Sequence, residues 1–227
     1  MSIGTVLVTG GASGLGAAVV AAVGDAGGRP IVLDRVPPDT DGEHTIVDLV
    51  DRRAAERAVR DLAERVGGLD AVVTCAGIDS CGRLDDVPAD DWDRVIEVNL
   101  LGTVAVIRAA LPDLRASGGR VVTISSTLGL RAVSDATAYC ASKFAIVGFT
   151  RALAAETAGQ IGVTMVIPGG MQTPFFDGRD EQYKPPPDAK LNRPGDVASA
   201  IVFALSQPSG CEVRELVITP SVEGSWP

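Results

Sequence analysis

A chain of 227 residues can bury a core without disulfides or a bound metal, and one domain is the expectation at that length. Its 20 Lys and Arg against 29 Asp and Glu leave a net charge of -9, which would repel a phosphate backbone, so nucleic acid is excluded as a partner. The single histidine, His44, cannot build a multi-histidine zinc site and would be the only imidazole open to an acyl-transfer triad, so no metal is expected. Uncharged apolar stretches such as 98–107 fall short of the roughly 20 residues that span a bilayer, and the start lacks a basic region before an apolar one. Cys75, Cys81, Cys140 and Cys211 form no paired CxxC pattern. A cytoplasmic protein with reduced thiols and no membrane partner is therefore expected.

Short runs rich in Val, Ile and Leu at 3–8, 30–33, 44–47, 71–74, 119–125, 162–167 and 215–219 read as strands. They are mostly continuous rather than alternating, as in strands covered on both faces. Between them, 15–27, 51–66, 91–115, 139–158 and 194–205 return apolar residues every three or four positions and read as helices. This order predicts an α/β fold, a doubly wound parallel sheet of about seven strands. One segment, 169–192, is irregular. It holds Pro174, Pro185, Pro186 and Pro187 with Phe175, Phe176 and Tyr183, and reads as a lid, because a long loop inside a compact domain is usually functional.

The first strand runs through Thr9-Gly10-Gly11-Ala12-Ser13-Gly14-Leu15-Gly16 straight into a helix. Glycines there let the backbone approach a pyrophosphate while the helix N-terminus faces its charge, although a tight turn without a ligand would use them too. The spacing T-G-x-x-x-G-x-G differs from the G-x-G-x-x-G fingerprint and resembles the start of the short-chain dehydrogenase/reductase family. That resemblance implies a Rossmann-type NAD(P) domain over 1–227, with Gly10, Ser13, Gly14, Leu15 and Gly16 around the cofactor. Asp34 closes the second strand about 20 residues beyond the glycines, where an acid can bond a ribose 2′-hydroxyl. Asp48, followed by Leu49, matches the family residue that meets the adenine amino group. Either acid could instead cap the following helix. Cys75-Ala76-Gly77 resembles the family's Asn-Ala-Gly, with Cys75 in place of an Asn that supports the central sheet.

Tyr139-Cys140-Ala141-Ser142-Lys143 sets a phenol and an ammonium at i and i+4 on one helix face. Ser126, at the end of the fifth strand, and Asn99, in the preceding helix, stand at the offsets of the family's other two catalytic residues. The resemblance covers nearly the whole chain and implies that Asn99, Ser126, Tyr139 and Lys143 carry the chemistry. A secondary alcohol losing hydride must also lose its hydroxyl proton, so a base near working pH is needed, and free tyrosine at about 10 is too weakly acidic. Lys143, together with the positive nicotinamide of the oxidised cofactor, is expected to lower the Tyr139 pKa, and also to hold the nicotinamide ribose, while Ser126 holds the substrate oxygen and Asn99 binds a water that relays the proton. Pro168-Gly169-Gly170-Met171-Gln172-Thr173 resembles the family's Pro-Gly-x-x-x-Thr, with Ile167 where Asn is usual, and is expected to meet the nicotinamide carboxamide.

The function expected is oxidoreduction of a secondary alcohol or its ketone with NAD rather than NADP, since Asp34 would repel a 2′-phosphate. The alternatives are an NADPH-dependent 3-oxoacyl or polyketide-type ketoreductase and a non-catalytic nucleotide sensor or scaffold. Ser126, Leu128, Met171, Phe175, Phe176 and Tyr183 are candidates to line the pocket of a small-molecule substrate. Arg179, Lys184 and Lys190 either face an anionic group or are scattered surface charge. The resemblance further implies a homo-oligomer, a tetramer, joined through 91–115 and 139–158, with Trp226 covering the lid or a neighbour.

Overall fold

Val6, Leu7 and Val8 are fully buried, because the first strand has a layer of helices on each side. The computed structural model describes residues 3–222 and 224. Seven strands, β1 (Thr5–Thr9), β2 (Arg29–Asp34), β3 (His44–Ile46), β4 (Ala71–Thr74), β5 (Arg120–Ile124), β6 (Gly162–Pro168) and β7 (Glu215–Ile218), form one sheet in the order β3-β2-β1-β4-β5-β6-β7. All neighbouring strands pair in parallel. Side chains alternate between two cores. Val6, Val8, Val32, Val73 and Val166 face α1 (Gly14–Asp25) and α6 (Pro194–Leu205). Leu7, Ile31, Leu33, Val72 and Val121 face the opposite layer of α2 (Arg52–Val66), α4 (Thr103–Ser117) and α5 (Thr137–Glu156). Sequence order reverses between β1 and β4, and their C-terminal ends open the crevice where such sheets bind ligands.

Element ends follow local chemistry. Gly4 takes φ +73°, so β1 begins at Thr5, two residues later than expected, where the Thr5 N–H donates to Asp70 Oδ2 at 2.7 Å. Asp51 caps α2 by accepting from the Ala54 N–H at 2.9 Å, and Gly67 ends it in the left-handed region. Pro194 opens α6, where its missing N–H has no helical partner to lose.

The helix expected over 91–115 runs unbroken from Ala89 to Ser117, as α3 (Ala89–Ile96), a π-helical turn (Glu97–Gly102) and α4. By length and composition this run is apolar enough to cross a bilayer, which a search for uncharged stretches does not reveal. Its apolar residues Val106, Ile107, Ala110 and Leu114 are spent in the core against α2 and the sheet. The segment 169–192 contains two short 3-10 turns, Pro174–Phe176 and Glu181–Tyr183. Its ends are laced together, since the Gln172 N–H donates to the Asn192 carbonyl and the Asn192 N–H to the Gly170 carbonyl, both at 2.9 Å. Trp226 lies outside the described residues.

Candidate active site

The turn after β1 has no room for side chains at two points. Gly10 has φ +69°, and a Cβ there would come within 2.8 Å of the Ala76 backbone; a Cβ on Gly16 would be driven into the Gly10 carbonyl. That close packing of turn, helix and β4 leaves backbone facing an open cleft of about 630 Å³. Asp34 closes the cradle from β2: one carboxylate oxygen accepts from the Ala12 N–H at 2.9 Å and the other from the Val36 N–H at 3.2 Å. It thus stays on the turn and caps no helix. Asp48 accepts from the Val50 N–H at 3.1 Å and from Arg94 Nη2 at 2.7 Å. Burial pulls its pKa up, but those two hydrogen bonds and the charges of Arg94 and Arg35 outweigh it and hold the carboxyl below its usual value.

Beyond β4, the tie back to β1 is made by the Thr9 hydroxyl, which accepts from the Ala76 N–H at 3.2 Å. The side chain at position 75 is thereby released from that role, and burial pushes the Cys75 thiol up to about 12 against the charge of Lys143. Asn99 sits in the π-turn, 1% exposed. Its Oδ1 accepts from the Ile78 N–H at 2.8 Å, and Nδ2 donates to the Ile78 carbonyl at 2.8 Å and to Ser142 Oγ at 3.0 Å. Both amide hydrogens are therefore spent on protein. Asn99 stands behind the cleft wall rather than on it.

After β5, the Ser126 hydroxyl accepts from the Leu128 N–H at 3.1 Å and lines the same cleft as Tyr139. Lys143 Nζ donates to the Ile124 carbonyl at 3.0 Å and lies 5.5 Å from the Tyr139 ring centre. In the protein alone, burial pushes Tyr139 up and the opposing polar effect of Ser126 is smaller; the expected lowering belongs to the complex with oxidised cofactor. The same burial lowers Lys143 to about 8. On the far wall, Phe175 packs its ring 5.6 Å from that of Tyr139, and Thr173 reaches across to Gly14.

The residues named from the sequence for the glycine turn, Asp34, Asp48, Leu49, Ala76, Gly77, Pro168, Gly169, Met171 and Thr173 all line this one cleft, as do Ser126, Leu128, Tyr139, Lys143, Phe175 and Phe176. Tyr183, Lys184 and Lys190 are not among its lining residues. Asp79, Arg94 and Arg179 line it as well. Asp79 and Arg94 were not singled out in the sequence, and only the position of Asp79, just beyond a strand end, could have marked it. The cleft suits a dinucleotide, with a side-chain-free backbone cradle at one end and a buried ammonium at the other.

The Lys143 shift has a measurable consequence. A lysine whose pKa is lower folded than unfolded binds more protons in the unfolded chain between the two values, so stability rises with pH across that window. Relative to Lys143→Met, the wild-type protein should gain stability from about pH 8 towards 10.5, by at most about 3 kcal/mol, with no difference in slope below pH 8. Urea unfolding at several pH values checks this; parallel curves throughout would contradict it.

Comparison with known proteins agrees with the geometry. The family described as short chain dehydrogenase matches residues 4–184. L-fucose dehydrogenase of Mus musculus is 33% identical over 239 residues, covering 96% of this chain and 88% of that protein. The aldohexose dehydrogenase of Thermoplasma acidophilum superposes with a TM-score of 0.87 at 26% identity, over 95% of this chain and 92% of that one. An alcohol dehydrogenase of the archaeon Thermococcus sibiricus, solved with 5-hydroxy-NADP, shares the fold with a TM-score of 0.85 at 23% identity, over 94% and 95%. A glycine turn, a seven-stranded parallel sheet and a family match over most of its length place this chain in the short-chain dehydrogenase family of oxidoreductases.

Proposed function

We propose that the protein is an NAD-dependent oxidoreductase of a secondary alcohol or the corresponding ketone. The observation that carries this reading is that Ser126, Tyr139 and Lys143 line one cleft, with Lys143 Nζ 5.5 Å from the centre of the Tyr139 ring. A nicotinamide nucleotide, when bound, supplies the hydride acceptor or donor. Gly10, Ser13, Gly14, Leu15 and Gly16 would hold its pyrophosphate, Asp34 its adenosine ribose, Asp48 and Leu49 its adenine. Ala76, Gly77, Pro168, Gly169, Met171 and Thr173 would hold the nicotinamide half. Tyr139 takes the hydroxyl proton of the alcohol, and Ser126 fixes the oxygen within hydrogen-bond reach. Lys143 puts positive charge behind the phenol and donates to a ribose. Asn99 acts as a positioning residue, clamping Ile78 to the turn of α5 that carries Ser142 and Lys143. A water relay past Asn99 would use the main chain of the π-turn. Residues 169–192 act as the lid over the substrate. The mouse and Thermoplasma relatives, dehydrogenases of L-fucose and of aldohexose, support oxidation at a hydroxyl-bearing carbon as the working direction. Cytoplasmic residence belongs to this reading on the sequence argument alone.

Tyr139→Phe keeps the ring and loses the oxygen, so turnover should fall by about 10²- to 10⁴-fold while nucleotide binding, read by fluorescence titration, persists. Ser126→Ala should be nearly as damaging. Near-wild-type turnover in the phenylalanine variant would remove Tyr139 from the chemistry.

The preference for NAD rests on Asp34, whose carboxylate the Ala12 N–H holds on the turn, where it would oppose a 2′-phosphate. Arg35, exposed beside it, is the group that would favour the phosphate. Turnover efficiency should be higher with NAD, and Asp34→Ala should move the preference towards NADP. Equal or higher efficiency of the wild type with NADP would overturn the preference and favour ketoreduction.

Assembly as a homotetramer is supported by exposed apolar side chains on outer faces. Phe144 on α5 is 44% exposed, and Phe203 on α6 and Val217 on β7 are exposed as well. Light scattering should give four times the chain mass; a monomer would contradict it.

A further inference from the structure

Asp79 and Arg179 meet on the cleft wall although 100 residues separate them in sequence. Arg179 Nη2 donates to Asp79 Oδ2 at 2.9 Å, and the side chains are 16% and 6% exposed. The guanidinium lies 4.7 and 4.8 Å from the ring centres of Phe176 and Phe175, so its plane is held. Phe175 in turn packs against Tyr139, and the charges of both Asp79 and Arg179 are felt at the Tyr139 hydroxyl. The ion pair is therefore part of the wall that faces the reacting position.

A buried pair of this kind adds little to stability over well-packed apolar residues, and the two phenylalanines already pack the segment against the wall. Its hydrogen-bonding capacity is also only partly used. Nη1 reaches the Tyr183 carbonyl at 3.4 Å, and among the described residues Nε meets no acceptor. Asp79 Oδ1 accepts from the Ser80 N–H at 2.8 Å, and Oδ2 from Arg179 and the Cys81 thiol, which leaves a lone pair on Oδ1.

We propose that Asp79 and Arg179 are specificity-determining residues that bind a further hydroxyl of a neutral, polyhydroxylated substrate. The inference rests on the oxidoreductase reading above for the position of the reacting carbon. A hydroxyl both donates and accepts, so it matches a carboxylate lone pair beside a guanidinium N–H. A carboxylate or phosphate on the substrate would meet the charge of Asp79, and an apolar substrate would strip water from donors it cannot satisfy.

The test compares cyclohexane-1,2-diol with cyclohexanol, by calorimetry on the complex with NADH and by turnover efficiency with NAD. The wild type should favour the diol about ten- to hundredfold in both measurements, the range of one hydrogen bond to a charged group. Arg179→Met and Asp79→Leu should each erase that ratio, and so should the double variant, which keeps the wall uncharged and packed. Equal binding of diol and cyclohexanol by the wild type would overturn the proposal. So would tighter binding of a 2-hydroxycarboxylate, which would make Arg179 an anion anchor. An equal loss for both alcohols in the double variant would reduce the pair to a structural pin. Failure of the oxidoreductase reading looks different: neither alcohol would reduce NAD, while the calorimetric preference for the diol could persist.

Discussion

Burying the Lys143 ammonium at 5% exposure carries a desolvation cost that only polar neighbours can offset, and the elements around it are arranged to supply them. The Ile124 carbonyl, freed at the end of β5, accepts from Nζ. Ser125 donates its hydroxyl to the Lys143 carbonyl at 3.1 Å and fixes the main chain of α5 at that residue. Asn99 holds Ser142, one position earlier, from the opposite side. The 3-10 turn after Ser126 approaches the same stretch so closely that a Cβ on Gly129 would sit 2.8 Å from the Lys143 carbonyl oxygen. Two stretches distant in sequence, 124–129 and the π-turn at Asn99, thus converge on one helical turn, and the phenol one turn earlier is placed as a result.

The π-turn follows from the same constraint. An extra residue per turn at Glu97–Gly102 rotates Asn99 within a helix that is otherwise regular from Ala89 to Ser117. Gly102 at its end lets Leu49 pack so near that a Cβ would come within 2.8 Å of the Leu49 Cβ. The loop that carries Asp48 is thereby seated against the helix that carries Arg94, and the two pair. Cofactor end and reacting end are coupled through one distorted helix.

How much of this was legible in the sequence differs by the range of the interaction. The strands and helices could be read because continuous β-branched runs and three-to-four-residue periodicity are local, and the glycine turn because its spacing is contiguous. The Tyr139–Lys143 pair was legible for the same reason. The π-turn was not, since the pattern at 91–115 is that of a plain helix. The upward push of burial on Tyr139 was not legible, because it comes from packing around the ring rather than from the lysine adjacent in sequence. Arg179 looked like surface charge because its segment has no periodicity to assign it a face. Only the fold brings Asp79 to it.

The charges near Tyr139 explain why recognition on this wall takes the form of a pair. Asp79 alone would raise the phenol further, adding to the burial effect, and Arg179 alone would lower it. Together they oppose one another at the phenol, so donors and acceptors for a substrate stand beside it without adding two charges of one sign. The phenol is then governed by its burial, by Ser126 and by the positive charge that an oxidised cofactor would bring into the cleft. Without such a charge both groups are pushed towards their neutral forms, Tyr139 upward and Lys143 down to about 8. Burial therefore keeps the phenol protonated, and a positive charge brought beside it with the cofactor would favour its phenolate.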